Sequence, residues 1–329
     1  MRYVFPYKTH NLRKVTVMIY DNYNRPVLNL RISVIQKCDK HCPYCHREGE
    51  NKHTKLMTLP EIIRIVRIAL SLGINRVKLT GGEPLLRNNI VDIVKCIADL
   101  EGLKDLSMTT NGTHLKDLAK DLRESGLNRV NVSLPTLDSL VYTEIMGGDL
   151  QDALDGIKAA VAVGMNPVKL NMLVLKNVND TAIDQMIEFA SKTGTILQLI
   201  ELEPINLSND YYENHHVELD KIENKIKKLA LETKVRKFMQ KRRVYTLQNV
   251  KIELIRPIEN TEFCASCTRL RITSDGKIKP CLMRTDNLID LLSPMREGAD
   301  DAELKELLIA AIKIREPYYK ATLTPKTSN

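Results

Sequence analysis

Six of the seven cysteines fall into two triads, and these constrain the chain more than any other feature. Cys38, Cys42 and Cys45 are spaced C-x3-C-x2-C; Cys264, Cys267 and Cys281 are spaced C-x2-C-x13-C, more than 200 residues further on. An odd total in a chain whose first residues show no secretory pattern argues against a disulfide framework. Clustered thiols in a reducing compartment more often bind metal. Cys96 stands alone in an apolar helical stretch and reads as a core thiol. A structural zinc site wants four protein ligands, and only His41 or His46 could supply the fourth to the first triad. Three thiolates suit a [4Fe–4S] cluster that keeps one iron open to another ligand.

From residue 28 to about 202, β-branched runs alternate with helical patterns. Strands are expected at 28–34, 76–80, 106–109, 129–134, 168–174 and 196–202, with helices near 58–72, 88–100, 113–125, 150–163 and 180–193. Thr58 and Glu61 form a capping box ahead of the first helix. Strand–helix units of about 25–35 residues imply right-handed crossovers and a parallel sheet. Six of them could curl into an incomplete barrel; a doubly wound open sheet competes. Beyond 203 the pattern changes. Residues 206–216, with His215 and His216, read as a solvated loop. A helix near 218–231 precedes strands at 234–239, 243–247, 250–255, 269–273 and 277–280, expected as a small antiparallel appendage, and a helix closes the region at 301–314. The basic run 234–243 reads as an exposed strand pair rather than a nucleic-acid surface. Residues 321–329 are expected to fray.

The first triad directly follows the first expected strand, so it lies on a loop at a strand's C-terminal end, where barrels carry their chemistry. Gly81-Gly82-Glu83-Pro84 ends the second strand. Glycines allow close backbone approach, and the Glu can accept from an ammonium. Between Cys267 and Cys281 stand Arg269 and Arg271. Two apart on a strand they share a face, an arrangement suited to phosphates or a purine.

The triad, the Gly-Gly-Glu-Pro segment and the order in which they occur resemble the radical S-adenosylmethionine superfamily. From about 24 to 319 the chain resembles its GTP 3′,8-cyclase family of molybdenum-cofactor biosynthesis, archaeal branch. The likeness rests on Arg25-Pro26, Leu30-Arg31, residues 78–84, Thr109-Thr110-Asn111-Gly112, Asn131-Val132-Ser133, Lys169-Leu170-Asn171 and the arginine-bearing second triad. The resemblance implies an α/β fold, an incomplete (β/α)6 TIM-like barrel whose C-terminal α+β extension carries a second Fe–S cluster. It divides the chain into an N-terminal extension (1–23), a core (24–203), a substrate and second-cluster region (204–320) and a tail (321–329).

It also implies two [4Fe–4S] clusters, on Cys38, Cys42 and Cys45 and on Cys264, Cys267 and Cys281, with S-adenosylmethionine on the first. Tyr44, Gly82, Ser133 and Glu203 correspond to positions near S-adenosylmethionine; Glu203 stands where many bacterial members have Met. Arg31, Lys78, Thr109, Lys169, Arg269, Leu270 and Arg271 correspond to the GTP-contacting set. Lys78 stands where many members have Arg, trading a fork for a point charge. Pro135 stands where an Asp is usual. No side chain is expected to act as acid or base. Bacterial members end in Gly-Gly, whereas this chain ends Thr324-Pro325-Lys326-Thr327-Ser328-Asn329; Met18 resembles the usual family start, which makes the 17 residues before it a candidate mis-assigned start. Expected partners are GTP, an electron donor and a downstream cyclic pyranopterin synthase, in the cytoplasm, with a homodimer left open and no nucleic acid or membrane.

Two rivals stand beside this reading. A peptide-modifying radical enzyme usually carries a richer C-terminal cysteine set. A zinc-ribbon nucleic-acid-binding protein would use the net charge of +8, but it leaves the first triad and residues 81–84 without a role.

Overall fold

The computed structural model describes residues 18–52 and 55–319; the expected tail and most of the N-terminal extension lie outside them. Six strands alternate with helices in the expected order. They are β1 (Asn29–Ser33), β2 (Arg76–Thr80), β3 (Asp105–Thr110), β4 (Arg129–Ser133), β5 (Val168–Leu173) and β6 (Ile196–Ile200). The helices are α1 (Leu59–Ser71), α2 (Ile90–Ala98), α3 (Leu115–Glu124), α4 (Ser139–Met146), α5 (Leu150–Ala162) and α6 (Ile183–Thr193). The expected capping box forms at α1, where the Glu61 carboxylate accepts from the Thr58 N–H at 2.7 Å. Helix α4 was not foreseen in the sequence; Asp138 caps it, accepting from the amides of Leu140 and Val141 at 2.9 and 3.0 Å.

The C-terminal region supplies α7 (Asn209–His215), α8 (Asp220–Leu229), β7 (Glu232–Val235), β8 (Arg243–Thr246), β9 (Lys251–Ile255), α9 (Thr261–Ala265), β10 (Arg269–Ile272), β11 (Lys277–Lys279), β12 (Ile289–Asp290), α10 (Leu292–Arg296) and α11 (Asp301–Lys313). Two expectations need correction here. Residues 209–215 are helical, not loop. Ser208 caps the turn, and Tyr211 stacks on His215 one turn later with ring centroids 4.1 Å apart. The later strands are also not a separate antiparallel appendage. All twelve strands form one sheet in the order β12-β11-β10-β1-β2-β3-β4-β5-β6-β9-β8-β7. β10 pairs parallel to β1 and β9 parallel to β6; only the outer pairs run antiparallel. Both edges of the six-stranded unit are therefore covered from the C-terminal region, and residue 203 divides the sequence but not the sheet.

The two faces of this sheet differ in kind. Ile32, Leu79, Met108, Val132, Leu170, Leu199 and Ile272 are buried, in one core with the inner residues of the helices. The alternate positions are polar and line a single cavity: Arg31, Lys78, Ser107, Asn131, Lys169, Gln198 and Arg271. A doubly wound sheet lies under helices on both faces and needs apolar residues on both, so that alternative is excluded.

Residues 18–26 are not a loose extension. Asp21 has a fully buried carboxylate that accepts from Arg25 Nε at 2.8 Å and lies 3.2 Å from Arg315 Nη1. Arg25 then donates to the Cys264 carbonyl at 2.9 Å, and Arg315 to the Cys267 carbonyl at 2.8 Å. One carboxylate thus ties both ends of the described chain to the second cysteine loop. Removing one member of a buried ion pair strands the other charges and costs about 3–5 kcal/mol. Asp21→Asn is expected to lower the urea midpoint with the slope unchanged; an unaltered midpoint would show the network to be energetically neutral.

Candidate active site

The cavity holds about 360 Å³, within the range of small-molecule sites. All six triad cysteines line it, although they come from loops at opposite ends of the chain. The first triad lies on the loop after β1. That loop is held by residues 81–83: Gly82 N–H donates to the Ile35 carbonyl at 2.7 Å and Glu83 N–H to the Lys37 carbonyl at 2.9 Å. A Cβ on Gly82 would sit 2.3 Å from the Lys37 carbonyl oxygen, and one on Gly81 would sit 2.3 Å from that of Ile35. The glycines are thus required for contact with the cysteine loop itself. The Glu83 carboxylate is buried and already accepts from Leu85 N–H (3.0 Å), the Thr110 hydroxyl (2.7 Å) and Asn111 N–H (2.6 Å). Burial pushes its pKa up to about 7. It therefore braces the loop, with one lone-pair direction left for a ligand.

The fit of the thiols to iron–sulfur ligation can be tested on their surroundings. Burial pushes the Cys42 thiol up to about 12 and raises those of Cys38 and Cys45. Against burial, the Lys40 amide donates to the Cys38 sulfur at 3.4 Å, and the backbone amides of Arg47, Arg269 and Met283 favour the thiolates of Cys45, Cys267 and Cys281. Those of Tyr318 and Tyr319 do the same at Cys264. Such bonds favour thiolate, the form that binds metal, and set cluster potentials. At Cys267 burial is outweighed by Arg315, Arg269 and Arg271, which bring the thiol down to about 7. Among the described residues no three His, Cys, Asp or Glu side chains are placed to hold a single metal ion. Zinc needs its thiolates about 2.3 Å from one point; a four-iron cluster is a wider body. Three thiols without a fourth protein ligand are the donor set that a [4Fe–4S] cluster with one open iron takes.

Tyr44, Gly82, Ser133 and Glu203 line the cavity with the first triad. Met146, at the end of α4, was missed in the sequence. It lies 3.4 Å from Cys42 Sγ and accepts from the Tyr44 hydroxyl at 3.2 Å.

The cavity is rich in cations. Arg31, Lys78, Thr109, Lys169, Arg269 and Arg271 all line it. Leu270 does not: it lies between two inward arginines, so its side chain is buried on the opposite, apolar face beside Leu30. The carboxylates that organise these cations had no motif to announce them. Glu48 lies 3.5 Å from Arg31 and 3.8 Å from Arg271. Burial opposes its ionisation, but Arg31, His46 and Arg271 prevail and hold its pKa near 2. Glu253 on β9 accepts from Lys169 and Gln198 and from Arg236 at 2.8 Å. Gln198 accepts from Asn131 at 2.6 Å, and Asn131 accepts from Lys78 at 2.8 Å. Arg236 and Arg242 belong to the basic run expected to be an exposed strand pair. The structure instead brings both into the cavity wall, with Arg242 buried. Arg271 Nε is buried and makes no hydrogen bond, with Glu48 3.8 Å away. The cations lining the cavity outnumber the carboxylates beside them, a donor set of the kind that suits anions.

The family models match in sequence order. The Radical SAM superfamily matches residues 32–190 and Molybdenum Cofactor Synthesis C matches residues 195–321. The "Probable GTP 3′,8-cyclase" of Thermococcus kodakarensis is 51% identical over 311 residues, 92% of this chain and 100% of that protein. That of Pyrococcus abyssi is 47% identical over 309 residues, again 92% and 100%. The chain belongs to the GTP 3′,8-cyclase family of radical SAM proteins. Among solved structures, Streptococcus suis SuiB bound to S-adenosylmethionine superposes with a TM-score of 0.61 at 20% identity, covering 87% of this chain and 69% of that one. At that identity the likeness is one of fold.

One titration follows from the geometry. Burial lowers Lys169 to about 8, with Glu253 opposing the shift. A polyphosphate anion prefers the protonated ammonium, so its binding takes up a proton above that pH. Affinity for GTP is expected to hold to about pH 8 and to weaken by up to about tenfold per unit above it. Lys169→Arg should flatten the profile; calorimetric titrations between pH 7.5 and 9.5 that show no slope in the wild type would exclude Lys169 from the anion site.

Proposed function

We propose that the chain joins C3′ of the GTP ribose to C8 of its guanine, giving (8S)-3′,8-cyclo-7,8-dihydroguanosine 5′-triphosphate, an early step of molybdenum-cofactor biosynthesis. The observation that carries this reading is the convergence on one cavity of both thiol triads and of more cations than carboxylates, Lys169, Arg242 and Arg271 among them buried. Family membership supports it. The sheet, unclosed by any β12–β7 pairing and wrapped on one side of the cavity, is compatible with an incomplete barrel.

Cys38, Cys42 and Cys45 would hold one [4Fe–4S] cluster, with Tyr44, Gly82, Ser133 and Glu203 around S-adenosylmethionine. Cys264, Cys267 and Cys281 would hold a second, leaving an iron for the guanine. When bound, the first cluster and S-adenosylmethionine supply one-electron chemistry, the reductive cleavage of the sulfonium that produces the hydrogen-abstracting species. The rest is positioning by the chain. Arg31, Lys78, Lys169, Arg269 and Arg271 carry the charge opposite the triphosphate, and Thr109 adds a hydroxyl. Glu48 and Glu253 hold three of those cations in place. Abstraction of the C3′ hydrogen needs no acid or base side chain; the one electron and the N7 proton that complete the dihydro product would come from the electron donor and from solvent. An electron donor and a downstream cyclic pyranopterin synthase complete the sequence, in a reducing compartment such as the cytoplasm. No described helix is long and apolar enough to cross a membrane.

The direct test is an anaerobic reaction of reconstituted protein with S-adenosylmethionine, a reductant and each nucleoside triphosphate in turn. Cyclised product from GTP alone is expected; 5′-deoxyadenosine with no cyclised nucleotide from any of them would remove the reading. The triads should be separable. Wild type is expected to carry about eight irons per chain, and Cys42→Ser and Cys281→Ser about four each. Zinc in place of iron in the anaerobically prepared protein would overturn both clusters. Charged hydrogen bonds are worth about 1.5–3 kcal/mol each. Replacing Arg269 and Arg271 together by Ala should therefore cut cyclisation at least about tenfold, while slow uncoupled 5′-deoxyadenosine formation persists. Wild-type cyclisation in that variant would take these arginines out of the substrate site.

A further inference from the structure

The β7–β8 hairpin brings a second group of cations to the cavity, and no motif or family correspondence given above assigns it a role. Its chain turns through residues 236–242, with Arg236 N–H donating to the Arg242 carbonyl at 2.9 Å. Arg242 is 7% exposed. One end of its guanidinium donates to Gln240 Oε1 at 2.6 Å, and its plane lies 5.9 Å from the centre of the Phe263 ring. These contacts fix the side chain, yet Nε is buried with no hydrogen-bond partner. Glu253 is the carboxylate whose charge acts most on Arg242, and its oxygens are taken by Lys169, Gln198 and Arg236. Lys169, Arg236 and Arg242 therefore share one negative charge. Arg31 stands beyond them as a further like charge. A rigid, buried guanidinium with unspent donors and surplus positive charge around it is costly unless an anion completes it.

We infer that Arg242, with Arg236 beside it, is a further binding residue for the phosphate chain of the nucleoside triphosphate, reaching it from the hairpin side of the cavity. The inference rests on the nucleotide reading above and deepens it. The hairpin forms a wall that the strand-borne cations do not provide, so the phosphates are gripped from two sides. A guanidinium offers the planar, two-pronged contact that suits phosphate oxygens.

The test is equilibrium binding to iron-reconstituted protein under anaerobic conditions, with GTP, guanosine and inorganic tripolyphosphate as probes. Arg242→Gln is expected to weaken GTP and tripolyphosphate by about tenfold or more, with guanosine binding and iron content at wild-type levels. Arg242→Lys should recover part of the loss, because it restores charge without the fork. A merely structural role would weaken guanosine as much as GTP. Equal tripolyphosphate and GTP binding by wild type and Arg242→Gln, at equal iron content, would overturn the inference. Should Arg242→Gln fail to fold, Arg236→Gln carries the same test, since its side chain is 36% exposed; unchanged binding there overturns the paired clamp. A wild type that binds guanosine but neither GTP nor tripolyphosphate would overturn the triphosphate reading itself, which separates the two failures.

Discussion

Eight parallel strands with alternating character set the terms for everything else in this protein. One set of side chains is apolar and joins the helices in a single core. The other set faces a cavity and carries lysines, arginines and amides. Buried cations are tolerated only when something compensates them. Here Glu48, Glu253 and the Asp105–Arg129 pair, bonded at 2.8 and 2.6 Å, do part of that work. Burial and like-charge neighbours hold Lys78 and Arg269 well below their ordinary ranges. A polyanion would reverse both effects at once. Such a surplus of positive charge favours anionic ligands.

The C-terminal region takes part in this through the sheet. β9 brings Glu253 to the β6 edge, and β10 brings Arg269 and Arg271 to the β1 edge. Strand pairing thus delivers the second triad to the cavity that the first one lines. The Asp21–Arg25–Arg315 network fixes the carbonyls of Cys264 and Cys267 from outside the sheet.

Much of this was legible in the sequence, for a definite reason. The triads and residues 81–84 are local patterns whose spacing encodes their chemistry, and strand–helix alternation encodes a parallel sheet. What was not legible is non-local. Nothing in Lys251–Ile255 or Arg269–Ile272 says which edge each will join, so an antiparallel appendage was the natural expectation. Arg236 and Arg242 sit in a basic run that looks like solvated surface; only the hairpin's path turns them inward. Glu48 and Glu253 lie outside any motif. Leu270, which the resemblance places in the GTP-contacting set, turns its side chain to the apolar face, as the two-residue strand period between Arg269 and Arg271 requires.

Lys78 shows how such non-local contacts alter the reading of a single substitution. In place of the family's common Arg, a lysine gives up the planar fork and becomes a mobile point charge. Here its ammonium is not mobile. It donates to Asn131 Oδ1, and Asn131 is oriented because its own amide donates to Gln198 and Asn171, at 2.6 and 3.2 Å. Gln198 is fixed in turn by Glu253, the carboxylate that also holds Lys169. The direction that a guanidinium carries in its own geometry is supplied to Lys78 by this relay across β4, β6 and β9. An acceptor amide, unlike a carboxylate, orients the ammonium without countering its charge, which burial and the neighbouring cations disfavour. The lysine is compatible with the site because Asn131 and Gln198 stand where they do.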